Sequence, residues 1–221
     1  LRRRLFYLIV LFAFLLVASI DRETLASEAS YCWQDLSEGL LKQNVSSLSG
    51  EPSLAASSNG NLWLTWAEDD VVQVRHMRDG EWKAVPSPDG PLISSHRALI
   101  AVGSEEKPYL LWAGNDESQT NLYVARWNGI GWERVGAPLS AYPHMYTHAG
   151  DATMILDGQG LPIVAWQEAN GNGPRSLHVA RWSGAKWGML GETPVAEGLD
   201  IYSLEPHLSM DRTGTIWLRW V

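Results

Sequence analysis

After residue 50, apolar positions come in short runs cut by turns rich in Gly, Asp and Asn, and no stretch keeps a helical period. Pro162-Ile163-Val164-Ala165-Trp166 and Leu122-Tyr123-Val124-Ala125 are apolar at successive positions rather than at alternate ones. A strand with one wet face alternates, so these runs predict strands covered on both faces. In the stretch from Asp151 to Gly191 the pattern predicts four strands, at roughly 152–156, 161–167, 177–182 and 186–190. The first pair is joined by Asp157-Gly158-Gln159-Gly160, where Gly supplies positive φ and the Asp carboxylate can accept backbone N–H groups. The second pair is joined by Ser183-Gly184, matching Asn128-Gly129 earlier in the chain.

The same frame repeats. Trp66, Trp112, Trp166 and Trp220 follow the turn positions Ser57, Gly103, Asp157 and Asp211 at one fixed offset, at intervals of 46, 54 and 54 residues. Self-similarity at that period marks a repeat architecture, and sheets of four strands covered on both faces describe the blades of a β-propeller. The expectation is an all-β chain with blades at about 51–90, 97–140, 151–191 and 205–221, the last one cut short. A β-sandwich is the alternative, but it leaves the repeat unexplained. Three and a half blades do not close a ring, and the chain opens on Leu1 and stops at Val221 within a strand pattern. A fragment of a propeller of roughly six or seven blades is therefore expected.

Composition narrows the partners. A formal net charge of −8 argues against nucleic acid and anionic membrane surfaces, which select clustered Lys and Arg. The single cysteine, Cys32, precludes an internal disulfide and a cysteine metal cluster. Arg2-Arg3-Arg4 followed by the uncharged run Leu5–Ile20 predicts a secretory signal over residues 1–30, with an uncleaved anchor as the alternative. Membrane contact is expected only through that segment, in a secreted or periplasmic protein. Residues 31–50 read as a polar lead-in, where Asn44-Val45-Ser46 fits the glycosylation acceptor pattern.

The fourth unit, Ser209-Met210-Asp211-Arg212-Thr213-Gly214-Thr215-Ile216-Trp217, resembles the Asp-box of sialidase-like (BNR-repeat) propellers, Ser-x-Asp-x-Gly-x-Thr-Trp, with one extra residue between Asp and Gly. Asp157 and Gly160 keep the pair, Ser57 and Gly60 keep only the Gly, and Gly103 with Glu106 keeps neither. The resemblance spans 51–221 and implies blade architecture in an exported bacterial protein. Asp-boxes in that family are structural turns remote from the active site.

Tryptophans recurring in one column read as packing between blades, since burying one indole removes ~150–250 Å² from water, worth at most ~4–6 kcal/mol. Arg126 and Arg181 recur in the same way and read as structural. Function is sought where loops converge. Six residues before each turn position stand Glu51, Arg97, Asp151 and Glu205. If the Asp/Gly turn joins the two innermost strands, these four ring the axial opening, with Glu68, Asp116 and Glu168 on the same rim. If that turn joins the outer pair, as in sialidases, they lie away from the axis.

A ring of carboxylates can hold a cation or sugar hydroxyls, against the simpler reading of solvated strand-end acids. The segment Ala141-Tyr142-Pro143-His144-Met145-Tyr146-Thr147-His148 is the most distinctive non-repeat stretch, expected as a loop. Tyr146 and His148 beside Asp151 could stack on a sugar, whereas His144 and His148 lack the third ligand a zinc site needs.

By resemblance, a sialidase would need three arginines, a Tyr–Glu pair and an acid/base Asp. Arg97 could be one arginine and Tyr146 or Tyr202 the tyrosine, but no second arginine occupies an equivalent strand start. Catalytic residues stay unassigned, and no metal or cofactor is expected. The ligand-site expectation is Glu51, Arg97, Asp151, Glu205, Tyr146, His148 and Tyr202. The resulting expectation is a binding module for a glycan or protein ligand. A sialidase-like hydrolase with an incomplete site, or a structural or adhesive array, are the alternatives.

Overall fold

The computed structural model describes residues 51–68, 71–90, 97–103, 105–116, 119–142, 146–199 and 205–221. Tyr202 and His144, the signal segment and the lead-in lie outside them. All the described residues fall within one compact unit, Lys42–Val221.

They form strands and turns, without a helix. The first blade is β1 (Ser53–Ala56), β2 (Leu62–Glu68), β3 (Val71–Arg78) and β4 (Glu81–Val85), hydrogen-bonded in that order. The second is β5 (Leu99–Ala101), β6 (Tyr109–Asp116), β7 (Gln119–Trp127) and β8 (Trp132–Arg134). The third is β9 (Thr147–Leu156), β10 (Pro162–Asn170), β11 (Arg175–Trp182) and β12 (Trp187–Met189), with β13 (Ala196–Leu199) added against β11, and a parallel bridge from Thr120 of β7 to His148 of β9 joins the second and third blades into one sheet. A fourth begins as the hairpin β14 (His207–Met210) and β15 (Ile216–Arg219). Consecutive strands within each blade are antiparallel, as short hairpin connections dictate. This is the four-stranded blade of a β-propeller.

The phase of the blades follows from their neighbours. β1 packs on β5, β5 on β9 and β9 on β14, so the first strand of each blade is its inner one. The Asp/Gly turn therefore joins the two inner strands, and the starts of the first strands share one end of the array.

Burial follows the sequence pattern in the inner blades. β10 is buried at every position from Pro162 to Ala169, with its two faces in different clusters. Val164 and Trp166 pack toward blade two, while Ile163 and Ala165 pack with Leu208 of blade four. In blade one the expectation of two covered faces fails. Trp63, Thr65 and Ala67 are buried, but Leu62, Leu64 and Trp66 are only half-buried. No further described blade lies against that face.

The tryptophan column behaves as packing in the first three blades, whereas Trp220 of the fourth is 41% exposed. Trp112 and Trp166 are buried, and Trp66 lies under the Arg75 guanidinium, 5.3 Å from its ring. A second column, Trp132 and Trp187, closes the outer seam: each indole N–H donates to a carbonyl of the preceding blade, Pro86 and Val135, at 2.8 Å. Beside that seam Gly136 has φ +72, and a Cβ there would meet the Trp182 ring at 2.6 Å.

The turns hold as their chemistry requires. Asp157 Oδ1 accepts the N–H groups of Gln159 and Leu161, and its Oδ2 accepts both Nε and Nη2 of Arg181, at 2.9 and 2.6 Å. Burial pushes the Asp157 carboxyl up, but these backbone and guanidinium donors outweigh it, and the net shift is downward. Asp211 accepts Thr213 Oγ1 at 2.6 Å and the N–H groups of Thr213 and Thr215, which lowers its carboxyl to about 2. The second turn lacks Asp, and its Glu106 reaches back to blade one instead. That carboxylate accepts Asn61 Nδ2 at 2.7 Å and Ser57 Oγ at 3.0 Å.

Candidate functional site

Each first strand enters its blade from the same end, so the residue six before each turn position returns to the same level. Glu51, Arg97, Asp151 and Glu205 line one pocket of about 280 Å³, together with Gly150 and Ala152 of β9. That volume is near the lower end of the ~300–1,000 Å³ usual for small-molecule sites. Its wall between blades is apolar, formed by Leu99, Leu111, Trp112, Ala113 and Leu122. Pro206 and His207 complete the lining. Four strand-start residues that the repeat aligned in sequence are thus gathered in space.

The charges are unequally satisfied. Arg97 is paired with Glu51 through its Nε and Nη2, both on Oε2. Among the described residues, neither Asp151 nor Glu205 has an ion pair or hydrogen bond, and both are exposed. No group of three or more His, Cys, Asp or Glu among the described residues is gathered as metal ligands would be.

Asp151 reaches the pocket through an irregularity. Opposite β10, Thr153 pairs with Ala165 and Gly150 with Gln167, so Asp151 and Ala152 together oppose Trp166 in a β-bulge. Asp151 has φ +38, a conformation disfavoured for a residue with a Cβ. The bulge carries β9 back to Thr147, five residues before the predicted start. Residues 147 and 148 therefore extend the strand and are not the expected loop. Tyr146 N-terminal to it has its carbonyl bonded by the Gly171 N–H at 2.6 Å. Tyr146 and His148 meet edge to face with ring centroids 5.1 Å apart, and Tyr146 is 57% exposed. Alternation along the strand puts both on the face of Gly150, which lines the pocket.

The second rim of acids is not an open rim. Glu168 is fully buried: Oε1 accepts Ser140 Oγ at 2.6 Å, and Oε2 accepts the Ala141 N–H at 2.7 Å and Trp166 Nε1 at 2.8 Å. It clamps the connection between blades two and three. Glu68 accepts Trp66 Nε1 in the same geometry at 3.2 Å. An acid two residues after the column tryptophan satisfies the indole, a pairing the sequence displays but which strand position alone obscured. Asp116 ends β6, and its side chain is not described.

Beside Glu168 lies a small buried relay. Ser176 Oγ contacts His178 Nε2 at 2.8 Å, Tyr142 Oη at 2.9 Å and the Glu168 carbonyl at 3.2 Å. Burial pushes the His178 imidazole down, against the opposing pull of Glu168 and Glu197. Nothing in the chain's spacing announced this group, whose members come from β11 and the blade connection. His207 of the pocket was also missed, although it stands two residues after Glu205 at the start of β14.

No family model matches the chain. Over 86 residues it is 34% identical to outer envelope protein 80, chloroplastic, of Pisum sativum, a match over 36% of this chain and 53% of that protein. The chain thus spans about half the length of that curated relative. Among solved structures it resembles a protein of unknown function from Dyadobacter fermentans, with TM-score 0.55 and 15% identity over 78% of this chain and 56% of that one. A Hadza microbial sialidase aligns with TM-score 0.55 and 13% identity, over 78% of this chain and 42% of its own. A thermostable family-43 glycoside hydrolase aligns with TM-score 0.55 and 13% identity, over 80% and 64%. At such identities the likeness is one of fold, and the fold is the β-propeller that these glycosidases also carry.

Proposed function

We propose that the chain is a glycan-binding propeller module whose ligand enters the pocket at the starts of the inner strands. One observation carries this reading: Glu51, Arg97, Asp151 and Glu205, from four successive blades, face one cavity with an apolar wall. Carboxylates that accept from sugar hydroxyls beside an apolar surface suit a polyhydroxylated ring. The propeller folds of a sialidase and a family-43 glycoside hydrolase support a carbohydrate ligand by analogy of fold only. The basic Arg2–Arg4 and apolar Leu5–Ile20 support export, which would bring the module to extracellular glycans.

Recognition of a sialoside carboxylate is disfavoured, because the pocket's arginine is engaged by Glu51 while Asp151 and Glu205 repel an anion. The test is a glycan array probed with the chain and with its Glu205→Gln and Tyr146→Ala variants, folding being checked by circular dichroism. Binding by the parent that drops roughly tenfold or more in Glu205→Gln supports the reading. No glycan bound, or binding by both variants as tight as the parent's, overturns it, as does release of fluorophore from a fluorogenic sialoside.

A further inference from the structure

The charge balance of the pocket points beyond a generic sugar. Arg97 is neutralised by Glu51, so the cation in the cavity is already spent within the protein. Asp151 and Glu205 remain, each exposed and without a protein donor among the described residues. Two unpaired carboxylates across a cavity with a low-dielectric wall concentrate negative potential there, and the chain's net charge of −8 adds to it. A neutral sugar would satisfy these oxygens with hydroxyl donors alone. A protonated amine would add to those hydrogen bonds the Coulomb attraction of an opposite charge, which a hydroxyl lacks.

The cavity is not self-contained. From Gly150 in its wall, β9 runs back to His148 and Tyr146, whose rings form an exposed edge-to-face pair on the same face of the strand. Four residues of strand span roughly 13 Å, so the aromatic pair lies beyond a single ring seated in the pocket. Aromatic faces suit both the apolar side of a pyranose and a cationic substituent.

We propose that the ligand is an oligosaccharide of unacetylated amino sugar, one residue seated between Asp151 and Glu205 with its ammonium group between them, and a further residue laid on Tyr146. This rests on the reading of the pocket as a glycan site and deepens it.

Calorimetric titration of the chain with a β-1,4-linked glucosamine tetramer, with its fully N-acetylated counterpart and with spermine tests it. The expected result is roughly tenfold or tighter binding of the glucosamine tetramer than of the acetylated one, since acetylation removes the positive charge and two of the three N–H donors. Asp151→Asn and Glu205→Gln should each remove most of that preference while leaving residual binding of the acetylated form. Raising ionic strength from ~0.05 to ~0.5 M should weaken the amine form selectively. Equal affinity for the two tetramers overturns the amine assignment and leaves the glycan site standing. Spermine binding as tightly as the glucosamine tetramer shows recognition of charge without sugar and also overturns the assignment. Binding of neither tetramer overturns it together with the glycan reading.

Discussion

At the scale of single residues, the two aspartates of blade three do opposite things six positions apart. Asp157 is 8% exposed and spends its oxygens on two backbone N–H groups and Arg181. Asp157→Asn should cost ~1–3 kcal/mol, read as a lower urea midpoint, because the guanidinium loses its charged partner while the turn keeps its shape. Asp151 holds φ +38 at the bulge, and its carboxylate makes no hydrogen bond or ion pair within the described residues. Its strain is of the kind found where a side chain is aimed for a purpose. Asp151→Gly should leave stability unchanged or raise it by up to ~1 kcal/mol, while ligand binding is lost. A clear fall in the unfolding midpoint of that variant would instead assign Asp151 a structural role. The sequence already sets the two acids at different positions of the repeat, Asp157 in the turn and Asp151 at the strand start. The bulge at Asp151 was not legible, because it arises from pairing across β9 and β10 that no local spacing reveals.

At the scale of elements, the seams between blades depend on indole donors and buried acids. Trp166→Phe should cost ~1–3 kcal/mol in thermal or urea unfolding, since it strips one donor from Glu168, which is fully buried. Gly136→Ala should cost at least ~1–3 kcal/mol, because the new methyl would press on Trp182 and the backbone there has positive φ. The seam also responds to pH. His178 and His76 are both held below their ordinary value, chiefly by burial, so each resists protonation when folded. The unfolded chain then binds more protons than the folded one from about pH 6.5 downward, and stability falls as pH drops through that value toward the lower folded one. Urea midpoints between pH 7.5 and 5.5 should show this slope, and His178→Gln should flatten it. Asp211, lowered to about 2, adds its own loss only from about pH 4 down to about pH 2. The strands were legible because apolar runs and Asp/Gly turns are local features. The clamp at Glu168 was not, because its donors Ser140 and Ala141 lie 28 and 27 residues away.

At the scale of the molecule, the repeat does two jobs. It supplies the tryptophan seams that hold blades together, and it returns a strand start to one end of the array in every blade. The sequence alone left open whether the Asp/Gly turn joined inner or outer strands. The packing of β1 on β5, β5 on β9 and β9 on β14 runs first strand to first strand through all four blades, as inner strands do around an axis. With the phase set, Glu51, Arg97, Asp151 and Glu205 had to converge, whereas Glu168 was withdrawn into the interior by the indole it serves. Variation between repeats, more than the repeat itself, then shapes the pocket. One unit contributes Arg97, and another carries the bulge, Tyr146 and His148. Hydrogen–deuterium exchange of the chain with and without a saturating bound glycan tests the central claim most directly. The expected result is added protection confined to segments 97–101, 146–153 and 205–208, at the starts of the inner strands. Protection at the Asp157 or Asp211 turns instead, or none at these strand starts, would contradict it.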